Sequence, residues 1–392
     1  MPTLSTIGAA CARAWGFTSG LVKDQYFNLV SLLLPGNGTN GAQNNTFLDS
    51  GTANSGSGFT ITRNGNTTQG TFSPFSQTGW GAYFDGSNDY VSMPDSTAFT
   101  MGSGDFTIEA WVYKASTGRQ EIVAQSASNG ANTSISFALK INDSNKVQGD
   151  IFSSSTQYAV TSSADIVLNQ WNNIAFVRDG NTLRIYINGF QDGTASVTGV
   201  TANDSSNQVA IGRLGEYNGF YWNGYISNVR ITKGGCLYPN GTTFTPSTTP
   251  LTTTVSAGTV SLLTCQSNRF IDNAATPNTL TPNNGVAIAP FSPFAPTQSY
   301  SAAAVGGSGY FDGTGDYLDL PSNANLATSS SDFTLECWVY LNSTAGSYIF
   351  SGTGATIQIS GGSIITYDGS NHTIGTPIAN QWCHIAICRS GS

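Results

Sequence analysis

One long pattern occurs twice in the chain without losing register. Tyr83-Phe84-Asp85-Gly86-Ser87-Asn88-Asp89-Tyr90-Val91 returns as Tyr310-Phe311-Asp312-Gly313-Thr314-Gly315-Asp316-Tyr317-Leu318. Asp105-Phe106-Thr107-Ile108-Glu109-Ala110-Trp111-Val112-Tyr113 returns as Asp332-Phe333-Thr334-Leu335-Glu336-Cys337-Trp338-Val339-Tyr340, and both blocks keep the same offset of 227 residues. Each copy is preceded by an opening element, Val30-Ser31-Leu32-Leu33 and Val260-Ser261-Leu262-Leu263. Self-similarity at a fixed spacing marks a tandem array.

The repeat suggests an N-terminal leader or docking arm at 1–27, a first unit at 28–241, a Thr/Pro/Ser-rich linker at 242–258 and a second unit at 259–392. The final block, Trp382 to Arg389, aligns with Trp171 to Arg178, so the second unit lacks counterparts of Leu183 to Thr232. A sandwich interrupted there would expose core and an unpaired edge. The expectation is a fragment of a longer chain, or a partner that supplies the missing strands.

Apolar residues alternate with polar ones, and β-branched and aromatic types dominate them. In Phe106 to Tyr113, one face carries Phe106, Ile108, Ala110 and Val112 and the other Thr107, Glu109, Trp111 and Tyr113. Asn188-Gly189, Asp179-Gly180, Asp192-Gly193 and Asn223-Gly224 are read as turns, because Asn and Gly accept positive φ. The expected fold is all-β: tandem antiparallel β-sandwich (jelly-roll) domains, the second incomplete. Glu109, on the second face, is expected to pair with a cation such as Arg230.

Composition narrows the function. Only 9% of the chain is charged, Lys+Arg 14 against Asp+Glu 22, with a formal net charge of -8 and no basic run. Nucleic acid and anionic lipid need clustered cations, so neither is an expected partner. Residues 1–20 lack the apolar stretch of an export signal or a membrane span, so synthesis is expected to end in a cytoplasm, with no membrane insertion. Six cysteines show no metal-binding spacing. Cys337 and Cys388 stand where the first copy has Ala110 and Val177 and are expected to be small buried residues; whether Cys236 and Cys265 pair is left open.

Four glutamates (Glu109, Glu121, Glu216, Glu336) and two histidines (His372, His384) give no Glu-x-Asp-x-Glu pair and no triad in the first unit. Binding is favoured over catalysis. The run Tyr217-Asn218-Gly219-Phe220-Tyr221-Trp222-Asn223 collects rings and amides. Trp222 and Phe220 fit the core at the start of the last strand, leaving Tyr217, Tyr221 and Asn223 as candidates to meet a sugar. Asp85, Asn88 and Asp89, repeated as Asp312 and Asp316, offer oxygens that either ligate calcium or close Asx turns. No cofactor is required by either reading.

The succession Phe84-Asp85-Gly86, Phe106 to Val112, Trp171 to Gly180, Tyr186-Ile187-Asn188-Gly189 and Gly224 to Ile231 resembles the laminin-G-like branch of the concanavalin A-like lectin fold. Ser227-Asn228 departs from an acidic pair found in many such domains. The tandem form, with its leader and the run Asn44 to Asp49, is similar to virion proteins of marine bacteriophages, cyanophages in particular. That resemblance implies a tail-fibre or particle-fibre protein, homo-oligomeric, docked to other virion proteins through the leader and touching host-surface polysaccharide. A virion spacer or decoration protein and a bacterial surface adhesin are the competing expectations.

Overall fold

A computed structural model of the 392-residue chain describes residues 32–34, 49, 59–64, 68–70, 80–289, 308–320, 332–352, 354–367 and 370–390. The expected leader, 1–27, lies outside them. The chain divides into two compact bodies, one Thr78–Ala295, the other Met1–Gln77 together with Pro296–Ser392. β1 (Thr62–Asn64) and β2 (Thr68–Gly70) belong to the second of these.

The body 78–295 is an antiparallel two-sheet sandwich. Its strands in chain order are β3 (Gly81–Asp85), β4 (Tyr90–Met93), β5 (Phe106–Lys114), β6 (Gln120–Gln125), β7 (Phe137–Ile141), β8 (Lys146–Ser153), β9 (Thr156–Asp165), β10 (Trp171–Asp179), β11 (Thr182–Ile187) and β12 (Phe190–Ser196). β13 (Val209–Ile211), β14 (Asn223–Lys233), β15 (Thr259–Thr264), β16 (Thr281–Asn283) and β17 (Ala287–Ala289) complete it. One sheet runs β12-β11-β10-β5-β14-β3-β17, with β15 also on β14; the other runs β16-β4-β13-β6-β7-β8-β9.

Phe106, Ile108, Ala110 and Val112 are fully buried, as their alternation requires. Each large side chain of that kind contributes on the order of 1.5 to 3 kcal/mol. Phe176 of β10 crosses the sandwich to lie over Gly149 of β8, where a Cβ would stand 2.4 Å from its ring. At one flank the sheets close on each other: Asp192 of β12 accepts the Ala164 N–H of β9 (2.8 Å). The hairpin β11–β12 turns on Asn188 (φ 51) and Gly189 (φ 84), the paired positive φ expected from Asn-Gly. By contrast, Asp192-Gly193 lies inside β12, and Asn223-Gly224 opens β14.

The boundaries differ from those read in the sequence. The segment 242–258 is not a free tether: Phe244 stacks on Tyr238 (centroids 3.6 Å apart, 6° between planes), and Leu251 is buried with Val260 and Leu263. Nor does the opening element of the second copy start a second domain. β15 extends the edge of β14, β16 pairs with β4 and β17 with β3. Thr/Pro/Ser content signals a linker only when nothing apolar punctuates it, and here Phe244, Leu251 and Val255 do.

The other body holds β18 (Ser308–Tyr310), β19 (Tyr317–Asp319), β20 (Phe333–Tyr340), β21 (Ser347–Gly352), β22 (Ala355–Ser360), β23 (Ser363–Tyr367), β24 (Asn371–Gly375) and β25 (Trp382–Arg389). β20 pairs with β25, and β21 to β24 form a meander. Phe333, Leu335, Cys337 and Val339 are only partly buried, packing around Ile357, Ile385 and Ile387. Cys388 is exposed, against the expectation, whereas Val177 is buried in a cluster to which Cys236, Tyr238 and Phe244 add cover. All five described cysteines are free, Cys236 and Cys265 included.

A reciprocal pairing links the two copies. β16 and β17, which precede the second Phe-Asp-Gly block, pair with β4 and β3 of the first, placing Asn283 opposite Tyr90 and Ala287 opposite Tyr83. β1 and β2, which precede the first block, pair with β19 and β18 of the second, placing Asn64 opposite Tyr317 and Thr68 opposite Tyr310. The registers are the same.

Candidate functional site

On β6, β7 and β8 the residues facing away from the core form a polar patch. The register sets Glu121 opposite Lys140, Lys140 opposite Gln148, and Ala138 opposite Asp150. Because β7 alternates as Phe-Ala-Leu-Lys-Ile, Phe137, Leu139 and Ile141 fill the core while Ala138 and Lys140 face outward. Lys140 Nζ pairs with Asp150 Oδ2, and Gln148 Nε2 donates to Asp150 Oδ1 (2.9 Å).

The loop between β13 and β14 folds across this patch. Its backbone is fixed by Gly212 N–H to Ile122 O (3.0 Å), Glu216 N–H to Ser126 O (2.7 Å) and Glu121 N–H to Phe220 O (2.9 Å). Gly215 must be glycine: at φ 51, its Cβ would lie 2.2 Å from the Ser126 nitrogen. Leu214 packs on Ala124 and Ala138, with Tyr217 and Phe220 alongside. The two rings stack, centroids 5.5 Å apart and 18° between planes. Phe220 holds φ 58, a region aromatic residues seldom adopt, and its ring takes the Arg119 guanidinium 3.7 Å from the centroid.

Arg119 in turn donates through Nε (3.0 Å) and Nη2 (2.7 Å) to Glu121 Oε1. Glu121 is fully buried, and its Oε2 has no hydrogen-bond partner. Burial raises its pKa above the ordinary value, outweighing the attraction of Lys140 and Arg119. The patch is therefore a half-buried aromatic pair seated on a charged, desolvated floor.

Of the expected sugar contacts, Tyr217 belongs to this pair. Trp222 is core, and Phe220, also assigned to the core, is instead half of the half-buried stack. Tyr221 donates its hydroxyl to Asn218 Oδ1. Asn223 is turned to architecture: its N–H reaches Gln120 Oε1 (3.1 Å), and its Cβ lies 2.8 Å from where a Cβ on Gly86 would stand. Arg119, Glu121, Lys140 and Asp150 were not singled out in the sequence. Their shared face depends on strand register, which alternation alone does not supply.

The aspartate turns are alike in both copies. Asp89, 1% exposed, accepts the N–H of Asp85 (3.0 Å) and of Gly285 (2.7 Å), and Asp85 accepts that of Ser87 (2.7 Å). Asp316 accepts the Asp312 N–H (2.9 Å), and Asp312 that of Thr314 (2.7 Å). Asn88 is exposed, and its carbonyl accepts from Asn284 Nδ2 (2.6 Å). Both oxygens of Asp89 and one oxygen each of Asp85, Asp312 and Asp316 thus accept backbone N–H groups, the Asx-turn arrangement. No cluster of three or more His, Cys, Asp or Glu suited to a metal occurs among the described residues.

The opposite sheet carries its own buried charge pair. Arg230 donates to Glu109 Oε1 through Nε (2.9 Å) and Nη2 (2.7 Å), and the Tyr238 hydroxyl donates to Oε2 (2.8 Å). The expected pairing of Glu109 is present. In the second copy Glu336 lies 3.3 Å from His384.

The family model for the concanavalin A-like lectin/glucanases superfamily, of laminin G type, matches residues 85–235 and 312–392. No curated protein sequence matches the chain. Among solved structures, a Bacteroides ovatus protein described as carbohydrate-binding is similar at 16% identity and a TM-score of 0.38, over 54% of this chain and 60% of that one. A SAP-like pentraxin of Limulus polyphemus is similar at 13% identity and a TM-score of 0.34, over 54% of this chain and 95% of that one. The CBM40 domain of the Ruminococcus gnavus IT-sialidase, solved with α2,3-sialyllactose, is similar at 15% identity and a TM-score of 0.29, over 37% of this chain and 86% of that one. The chain spans 60% of the length of the Bacteroides ovatus protein.

Proposed function

We propose, for a chain that belongs to the concanavalin A-like lectin/glucanases superfamily, that it is a non-enzymatic phage virion appendage protein attaching to host-surface glycan. The observation that carries the binding half of this reading is the stacked Tyr217–Phe220 pair, backed by Arg119 and bordered by Lys140, Gln148 and Asp150. The half-buried rings offer apolar surface to sugar C–H groups, and the half-buried Arg119 and Gln148 offer donors and an acceptor to hydroxyls. Weak single contacts gain from repetition when copies are linked.

A binding rather than hydrolytic role is supported by the placement of the carboxylates. Glu109 and Glu121 stand on opposite sheets, each held by an arginine, Glu216 accepts the Gln208 N–H (3.2 Å), and Asp150, which neighbours Glu121, is like it fully buried and is paired with Lys140. A glycosidase needs two carboxyl groups flanking one bond, roughly 5 to 9.5 Å apart. The virion setting rests on the tandem form and the leader, with the leader docking to other virion proteins and copies of the chain assembling together.

Adsorption of the labelled chain to host cells, and its retention on host polysaccharide, tests the glycan reading. Tyr217→Ala and Phe220→Ala should each cut adsorption at least about tenfold, as expected when roughly 1.4 kcal/mol of contact is lost. Unchanged adsorption by both would sink it. Antibody labelling of purified particles under the electron microscope tests the appendage half, which fails if particles carry no label.

A further inference from the structure

We propose that the sandwich has a second binding site, on the face remote from Tyr217, for a small neutral polyhydroxylated molecule such as a single sugar. The segment 244–254 arches over the outer face of β5, β10 and β14 and leaves a cavity of about 340 Å³. Ligand cavities begin at roughly this size. The floor is formed by Glu109, Arg230, Tyr238 and Asn173, and the arch contributes Ser247, Thr249 and Thr252.

The charges of the floor are already matched. Both Glu109 oxygens accept hydrogen bonds, from Arg230 and from Tyr238, and Arg230 Nη1 continues to Thr252 O (2.9 Å). A charged guest would disturb that balance, so a neutral one fits. One group on the floor is not matched: Asn173, 2% exposed, has its Oδ1 buried with no partner. An orphaned buried acceptor is costly until a donor meets it. A guest able to donate, as hydroxyls do, suits this floor. The hydroxyls of the arch give and accept, while Phe244 and Leu251 supply apolar wall for C–H groups.

This site is independent of the Tyr217–Phe220 patch, which lies on the other sheet. Ligand-observed saturation-transfer NMR on the full chain, with galactose, glucose, N-acetylglucosamine and glycerol as probes, tests it. The expected result is a saturable signal from at least one ring sugar, weakened at least tenfold by Asn173→Leu and by Thr249→Trp. Thr249 is exposed, so its tryptophan narrows the mouth without touching the core, and thermal melting verifies that both variants fold. No saturable signal from any probe, which would mean a cavity filled by water only, overturns the proposal. So does a signal that survives Thr249→Trp, or one abolished by Tyr217→Ala. The last outcome would leave the glycan reading standing while removing the cavity.

Discussion

Arg230 and Glu109 are joined by two hydrogen bonds to a single carboxylate oxygen, 2.9 and 2.7 Å long, between neighbouring strands and nearly out of solvent. Removing one member strands the other's charge in a low-dielectric setting. Arg230→Leu is expected to destabilise the body 78–295 by about 3 to 5 kcal/mol, and the Glu109→Leu/Arg230→Leu double variant by much less. Urea unfolding of the three proteins measures the difference; equal losses would show that packing, not the charge, sets the cost.

Glycine in the Phe-Asp-Gly turn answers two demands in one copy and one in the other. Gly86 has φ 84 and presses against Asn223, whereas Gly313 has φ 88 and nothing within 4 Å. Alanine at 313 should cost about 1 kcal/mol or slightly more for its left-handed backbone. Gly86→Ala should cost about 2 to 3 kcal/mol, because Asn223 at the start of β14 must also shift. Thermal denaturation of the two variants ranks them.

Glu121 gives stability a pH dependence of unusual sign for a carboxylate near an arginine. Its folded pKa is raised above 4.5, chiefly by burial. A group raised on folding adds stability below its unfolded pKa and withdraws it as pH rises through the folded value. Glu121→Gln should therefore gain on the wild type as pH climbs from 4 to 8. Melting temperatures across that range check this, and a gap that narrows with rising pH would contradict it.

The body 78–295 should fold alone, while 78–241 should not. The shorter piece loses β15, β16 and β17 and uncovers the outer face of β5, β10 and β14. Circular dichroism and cooperative melting of the two fragments decide the matter.

If matching registers mean interchangeable strand pairs, residues 62–70 can be replaced by residues 281–289. The exchanged chain should keep its stability within about 1 kcal/mol, the scale of a few surface substitutions. A Gly/Ser segment of the same length should not, and parallel melts compare the two.

Much of this architecture is legible in the residues themselves. Phe106 to Val112 alternate, Asn188-Gly189 closes a hairpin, and Glu109 has a basic partner within reach of the adjacent strand. What alternation cannot show is pairing at a distance. Val260-Ser261-Leu262-Leu263 reads equally well as the start of one domain or the edge of another, since an edge strand has the same composition in both. The Tyr217 patch is half legible for the same reason. Its rings lie in one run of sequence, but Glu121, Lys140 and Asp150 meet only through strand register.

The exchanged strand pairs have a consequence for how such a chain can change over generations. Its unit of duplication and its unit of folding are out of phase by two strands, so each copy carries part of the other's sheets. A substitution in 281–289 is judged by Tyr83 and Tyr90, more than 190 residues away in sequence. The two copies are therefore bound to drift together at these strands, even while the rest of each sandwich is free to diverge.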